Sequence, residues 1–426
     1  MTGLITRSRM SRLGSYVSAQ AAVQVIGFLA GIVLVRHMQQ AQYGYYSLAI
    51  SMIGVANVLL DLGLGTAVLA VGGRAMAGQN HLAGVVSDAL SLQRQLALLG
   101  SVVLLPIFAT MFARQGLAML NVMALSLLAI ACSAFNARNQ VALSVVRLQG
   151  NLALQQRLEI GVNVGKLVLV LAAALIYIDA RVAVAVNLVA AGLMFVFLRI
   201  YLTSHVGAHE QVTHEHDGPL RRFVRQQAPN SLYYCVSGQV AIWLVSLHGH
   251  TDRVAEVGAL GRLALLFTLV GAVVTALVQP YFARATARRD LIAGFLALNG
   301  FFGALTVLLT GFAAALPGVA LWILGPRYST LTRELIWMVL SASLAAWSGA
   351  VYSVGASRGW VVPIYLILPL GVGTVAIAVW LIDVSTVIGS FMMNTASAAV
   401  ATVLVMAFVG FKLRGLTPSD YLGDKP

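Results

Sequence analysis

The chain has 426 residues, of which 59% are hydrophobic and 10% charged, with a mean hydropathy of +0.88. A water-soluble globular chain carries about a quarter charged residues and about half apolar ones, so this composition is that of a polytopic membrane protein. Twelve spans of ~20 apolar residues would use roughly 240 residues, which leaves no room for a separate water-soluble catalytic domain.

The excess of 27 Lys and Arg over 14 Asp and Glu gives a net charge of +13. In a soluble protein that would point to nucleic acid. Here the charges lie between apolar runs, where they set topology and attract anionic headgroups. Membrane lipids are therefore expected partners and nucleic acid is not. Cys132 and Cys235 sit inside apolar runs, with no spacing that supports a disulfide framework or a zinc site.

The first apolar run, 16–35, follows Arg7, Arg9 and Arg12. It is longer than the apolar core of about 7–15 residues in a cleaved signal, so it reads as a retained first span. Further runs follow at about 45–71, 95–113, 117–137, 160–178, 182–202, 229–248, 257–280, 291–315, 335–356, 360–382 and 386–411. Alternating the loops between the two sides places nineteen of the 27 basic residues with the N-terminus and six opposite, leaving Lys166 and Arg262 inside runs. Cytoplasmic loops hold the excess of Lys and Arg. The expected location is the bacterial cytoplasmic (inner) membrane, multi-pass, with both termini cytoplasmic.

The longest polar interruption, 203–227, divides the chain. The expected organisation is an N-terminal six-helix bundle (1–202), a cytoplasmic linker (203–227), a C-terminal six-helix bundle (228–415) and a cytoplasmic tail (416–426). The halves share weak internal similarity. "AQYGYYSLA" (41–49) follows the first run and "AEVGALGRLA" (255–264) follows the seventh, so that Gly44 and Gly258 correspond. "GGRAMAG" (72–78) and "YFARATAR" (281–288) each close an even-numbered run with an Arg-Ala pair. Parallel repeats of this kind are typical of transporters.

Ionisable groups within spans normally face a bundle interior or a wet cavity, because exposure to lipid is costly. Lys166 shares a helical face with Glu159 and Asn163. It either snorkels to the inner interface, paired with Glu159, or meets substrate. Arg262 lies one turn into the eighth run and reads as facing the pore, with outward snorkelling as the alternative. Asp61, in "NVLLDLGLG" (57–65), is either half of a structural ion pair or a proton- or cation-coupling site. Arg36, in "LVRHM", ends the first span and can anchor it at the outer interface. Gln20 and Gln24 share a face of that span and either bond across helices or line the cavity. Gly27 and Gly31 form a helix-packing pair.

His205, His209, His214 and His216 in the central loop invite a metal reading, but imidazoles in a polar, Gly-containing segment are more often part of a solvated linker, and no metal or other cofactor is expected. The stretch 138–159 places Val141, Val145, Leu148 and Leu152 on one side, as in an amphipathic segment lying on the inner membrane surface. No Walker A, G-x-S-x-G or H-E-x-x-H pattern occurs, and the chain is not expected to be an enzyme.

The stretch from Ala19 to Leu69 has an Arg ending the first span, a Tyr-Gly-x-Tyr segment and an Asp-x-Gly-x-Gly near the end of the second. It resembles the opening of bacterial polysaccharide flippases, the O-antigen and exopolysaccharide exporters of the multidrug/oligosaccharidyl-lipid/polysaccharide (MOP) exporter superfamily. "VGALGRLALL", "QPYFARA" (279–285) and "LWILGPRYSTL" (321–331) extend the resemblance in order along nearly the whole chain. The resemblance implies an all-α, MATE-like fold of about twelve transmembrane helices in two pseudo-symmetric six-helix bundles around a central cleft.

It further implies translocation of an undecaprenyl-diphosphate-linked oligosaccharide from the cytoplasmic to the periplasmic leaflet. A polysaccharide polymerase and a chain-length regulator would be partners. The family's cationic cavity maps onto Arg36, Lys166 and Arg262, with Gln24 a further substrate contact and Asp61 the coupling-ion candidate. Two alternatives stand beside this reading: a drug or small-cation exporter of the same superfamily, and a membrane glycosyltransferase or polysaccharide polymerase.

Overall fold

The computed structural model describes residues 7–77, 82–206, 217–248, 251–274, 278–284 and 288–415. The loop histidines His209, His214 and His216 and the predicted tail 416–426 lie outside the described residues. Among those described there are sixteen α-helices and no strand. In hydrocarbon every backbone N–H and C=O must be bonded internally, and a helix does this within one segment.

In chain order the helices are α1 (Arg7–His37), α2 (Gln40–Asp61), α3 (Leu64–Ala77), α4 (Leu82–Arg114), α5 (Met119–Leu148) and α6 (Leu152–Ile176). Then come α7 (Ala180–His205), α8 (Asp217–His248), α9 (Thr251–Ala264), α10 (Leu266–Val273) and α11 (Gln279–Arg284). The last are α12 (Arg288–Ala315), α13 (Pro317–Leu324), α14 (Thr332–Ala356), α15 (Ile364–Leu381) and α16 (Val387–Arg414).

Eleven segments of the described residues are long and apolar enough to cross a membrane, with α2–α3 and α9–α10 each counting as one. They follow the predicted runs in order. The predicted seventh run falls in α8, whose apolar stretch is the shorter Gly238–Leu247. The fold is therefore the all-α, polytopic architecture that the sequence predicts.

The described residues form two compact units, one within Val25–Gly258 and the other made of the described parts of Met1–Gln24 and Ala259–Pro426. The core of the first gathers Leu64 and Val68 of α3, Val85 and Ala89 of α4, Val141 and Val145 of α5 and Leu198 of α7, together with Leu220 and Val224 of α8. In the second, α14 packs against α12 and α16. Side-chain hydrogen bonds join these helices: Trp347 Nε1 donates to Asn299 Oδ1 (2.8 Å), Thr395 Oγ1 to Trp337 O (3.3 Å) and Thr402 Oγ1 to Leu344 O (3.1 Å).

Two helices run further than their apolar runs. α4 has 33 residues and α5 has 30, or about 50 and 45 Å at 1.5 Å per residue, against a hydrocarbon core of about 30 Å. The surplus lies at the ends predicted to be inside. Arg138 is thus a residue of α5 and not of a loop, and its guanidinium stands over the Phe195 ring of α7, 5.4 Å from the centroid.

The amphipathic surface segment expected at 138–159 is corrected by this geometry. Residues up to Leu148 continue α5, and Val141 and Val145 are fully buried in the core, while Leu152 opens α6 and is exposed. Their apolar side is covered by α3, α4 and α7, so protein and not lipid is what the pattern buries against. The chain turns between the two helices at Gly150, whose φ of 72° suits a residue without Cβ. Asn151 then caps α6 by accepting from Leu154 N.

Candidate functional site

α6 has one protein-facing side. Val164, Val168, Leu171 and Leu175 are exposed, whereas Gln155 and Val170 are buried and Glu159, Asn163 and Lys166 lie half-buried between them at three- and four-residue intervals. Along this side runs a hydrogen-bonded ladder. Arg147 Nε donates to Gln155 Oε1 (3.1 Å), Gln155 Nε2 to Glu159 Oε1 (2.7 Å), and Asn163 Nδ2 to Glu159 O (2.8 Å).

Lys166 is the next polar group along the face. On the neighbouring α5, Asn136 Nδ2 donates to the Cys132 sulfur at 3.7 Å. Among the described residues no carboxylate pairs with Lys166, and the Glu159 carboxylate accepts from Gln155 instead. A half-buried ammonium on the protein side of a lipid-bounded helix is suited to an anionic partner.

Asp61 occupies a different kind of position. It ends α2, Leu62 adopts a left-handed φ of 43°, Gly63 follows with φ 80°, and α3 begins at Leu64. The carboxylate accepts from Gly63 N and Gly65 N, both at 3.2 Å, which caps the new helix and satisfies donors the break would otherwise strand. Asp61→Ala is expected to cost about 1 kcal/mol of stability. Asp61→Asn, which keeps the acceptor, should cost less. Thermal unfolding of the detergent-solubilised protein checks both.

Arg36 stands exposed in the last turn of α1, where a cation suits the helix C-terminus. Gln20 and Gln24 are half-buried on the same helix, and Arg262 is half-buried in the last turn of α9. Lys166, Asp61 and Arg36 belong to the first unit, whereas Gln24 and Arg262 belong to the second. His205 stacks on Tyr201, with ring centroids 4.4 Å apart. No group of three or more metal-ligating side chains occurs among the described residues.

Two features are missing from the sequence reading. Asp88 of α4 is completely buried; it lies upstream of the predicted third run, and its signal was the apolar periodicity of its neighbours Val85, Val86, Ala89 and Leu92. The second is a seam inside the first unit, where α2 packs against α8 and the start of α9. Gln115, which follows α4, ties it together: its side chain donates to Ser246 O and accepts from Thr251 Oγ1 (3.1 Å), and its carbonyl accepts from Tyr45 OH (3.4 Å).

Gly44 and Gly258, the pair equated by the internal repeat, meet opposite sides of this seam. A Cβ on Gly44 would run into the Thr251 carbonyl oxygen, and one on Gly258 into the Ser47 side chain. Each repeat-equivalent glycine is therefore the point at which its own helix lets the other approach.

No protein-family model matches this sequence, and no curated protein matches it. Solved structures do. The chain is similar to the lipid II flippase MurJ in an inward closed conformation, with a TM-score of 0.74 and 11% identity over 96% of this chain and 89% of that one. It is similar to a multidrug resistance MATE family transporter of the MOP superfamily in an inward-facing conformation, with a TM-score of 0.69 and 13% identity over 92% and 96%. It is also similar to the eukaryotic MATE transporter AtDTX14, with a TM-score of 0.60 and 16% identity over 96% and 98%. At such identities the likeness is one of fold.

Proposed function

We propose that this chain is a flippase that carries an undecaprenyl-diphosphate-linked oligosaccharide from the cytoplasmic to the periplasmic leaflet during surface polysaccharide synthesis. It works by alternating access in the inner membrane, with both termini cytoplasmic. The observation that carries the proposal is the placement of Lys166, a half-buried cation on the protein side of α6 with no carboxylate partner among the described residues. The fold shared with a lipid II flippase supports it, as does the sequence resemblance to polysaccharide exporters.

The physical reasoning starts from the cargo. A diphosphate and its sugars cannot cross hydrocarbon alone, because they would lose hydration without replacement. A protein path must supply cations for the phosphates and neutral hydrogen-bonding groups for the hydroxyls, while the prenyl tail stays in lipid. By the family resemblance, Lys166, Arg262 and Arg36 would serve the phosphates and Gln24 the sugar. A polymerase and a chain-length regulator would act on the delivered product.

The likeness to a multidrug transporter favours export of a drug or small cation as the second reading. Such cargo needs acidic partners, and Asp61 is committed to capping α3. The test is reconstitution into liposomes loaded with undecaprenyl-diphosphate oligosaccharide. Movement of the glycan to the opposite leaflet is the expected result. Glycan that stays in place while an organic cation is exported would establish the second reading. In cells, a deletion that leaves single repeat units outside would identify a polymerase instead.

A further inference from the structure

The side of α2 that packs against α8, and that meets the start of α9 at Tyr43, Gly44 and Ser47, carries a series of polar groups, although α2 lies in a segment apolar enough to span a membrane. Gln40, Tyr43, Ser47, Ser51, Asn57 and Asp61 recur at three- to six-residue spacing along one broad face. Part of this face is satisfied by its neighbours. Gln40 Nε2 donates to Glu256 Oε1 (3.4 Å), Tyr43 OH to Gly258 O (3.4 Å) and Ser51 Oγ to Gln239 Oε1 (2.7 Å).

The rest is not satisfied. Ser47 Oγ and Asn57 Oδ1 on α2, and Trp243 Nε1 on α8, are buried with no hydrogen-bond partner among the described residues. Ser47 is only 5% exposed. Trp243 lies one turn beyond Gln239 and two beyond Cys235, both of which touch α2.

Buried polar atoms without partners are rare because each forfeits its hydration, and three along one helix pair need a reason. We propose that this face of α2 is a sugar-contacting track, covered in the present conformation by α8 and α9, with a neutral polyhydroxylated glycan as its ligand. The proposal rests on the transport reading above and adds the route taken by the sugar. Hydroxyl, amide and indole groups match the paired donors and acceptors of a sugar. The track offers the phosphates no cation. Its acidic end, Asp61, is already held by two backbone N–H groups. The diphosphate is therefore read by cations such as Lys166 on α6, and the glycan by the neutral face of α2 together with Gln24 on α1.

The test labels single cysteines at Ser51→Cys and Asn57→Cys with a membrane-impermeant maleimide, in full-length protein carrying Cys132→Ala and Cys235→Ala and reconstituted in liposomes. Leu169→Cys, on the exposed side of α6, is the lipid-facing control. Labelling at 51 and 57 is expected to exceed that at 169 by about tenfold, and to fall about fivefold with undecaprenyl-diphosphate oligosaccharide but not with bare undecaprenyl diphosphate.

No labelling at either position, or equal protection by both lipids, overturns the track. A chain that is labelled and protected by the glycan yet moves no lipid keeps the track and defeats the transport reading. Should the cysteine variants fail to fold, Asn57→Ala decides: a KM for the oligosaccharide lipid raised about tenfold with unchanged affinity for the bare lipid supports the track. An unchanged KM overturns it.

Discussion

Gly44→Ala is expected to destabilise the protein, against the sign that helix propensity alone would give. Glycine to alanine inside a helix normally gains about 1 kcal/mol. At Gly44 the added methyl would meet the Thr251 carbonyl oxygen, a backbone atom that cannot move without shifting the start of α9. Overpacking of this kind costs about 1–3 kcal/mol, so the net change should be a loss.

Gly258→Ala meets the same limit through a softer neighbour, because the obstruction there is the Ser47 side chain. The two sites should therefore respond differently to trimming of the opposing residue. Ser47→Gly should recover most of the loss caused by Gly258→Ala, a coupling that a double-mutant cycle measures directly. Thr251→Ala should leave the loss from Gly44→Ala largely in place, since the obstructing oxygen remains. Thermal unfolding of the detergent-solubilised variants gives the numbers. A stabilised Gly44→Ala, or a rescue by Thr251→Ala as complete as that by Ser47→Gly, would contradict the crossing described for α2 and α9.

That crossing was half legible in the sequence. The correspondence of Gly44 with Gly258 could be read from the repeat, but a repeat states equivalence and not contact. The spans were legible for a related reason, since hydrocarbon forces helical backbone wherever the apolar run is long enough. Their ends were not. Arg94 and Arg138 interrupt the hydropathy, yet α4 and α5 continue through them because the chain outside the hydrocarbon packs against protein. Hydropathy locates the bilayer, whereas helix length follows from packing, which is how Asp88 came to be overlooked. Asp61 was visible as an intramembrane acid. Its cap was written in the glycines two and four residues later, a pattern that marks a helix break as readily as a binding site.

Lys166→Ala is expected to lower transport of a lipid-linked diphosphate oligosaccharide by about 10- to 100-fold at equal expression. The estimate follows from the strength of a hydrogen bond to a charged group, about 1.5–3 kcal/mol, with 1.4 kcal/mol equal to a factor of ten. Because an ammonium recognises phosphate as a point charge, Lys166→Arg should keep much of the activity and Lys166→Gln little. The fold should tolerate all three. Lys166 has no carboxylate partner among the described residues to leave stranded, and Glu159 keeps its bond from Gln155. The loss should therefore appear in transport and not in thermal stability. Raising the salt concentration should not reproduce it, since screening acts on exposed charges far more than on half-buried ones. If all three variants carry the oligosaccharide at the wild-type rate, the ammonium on α6 does not meet the phosphates, and the cation that serves them must be sought elsewhere in the chain.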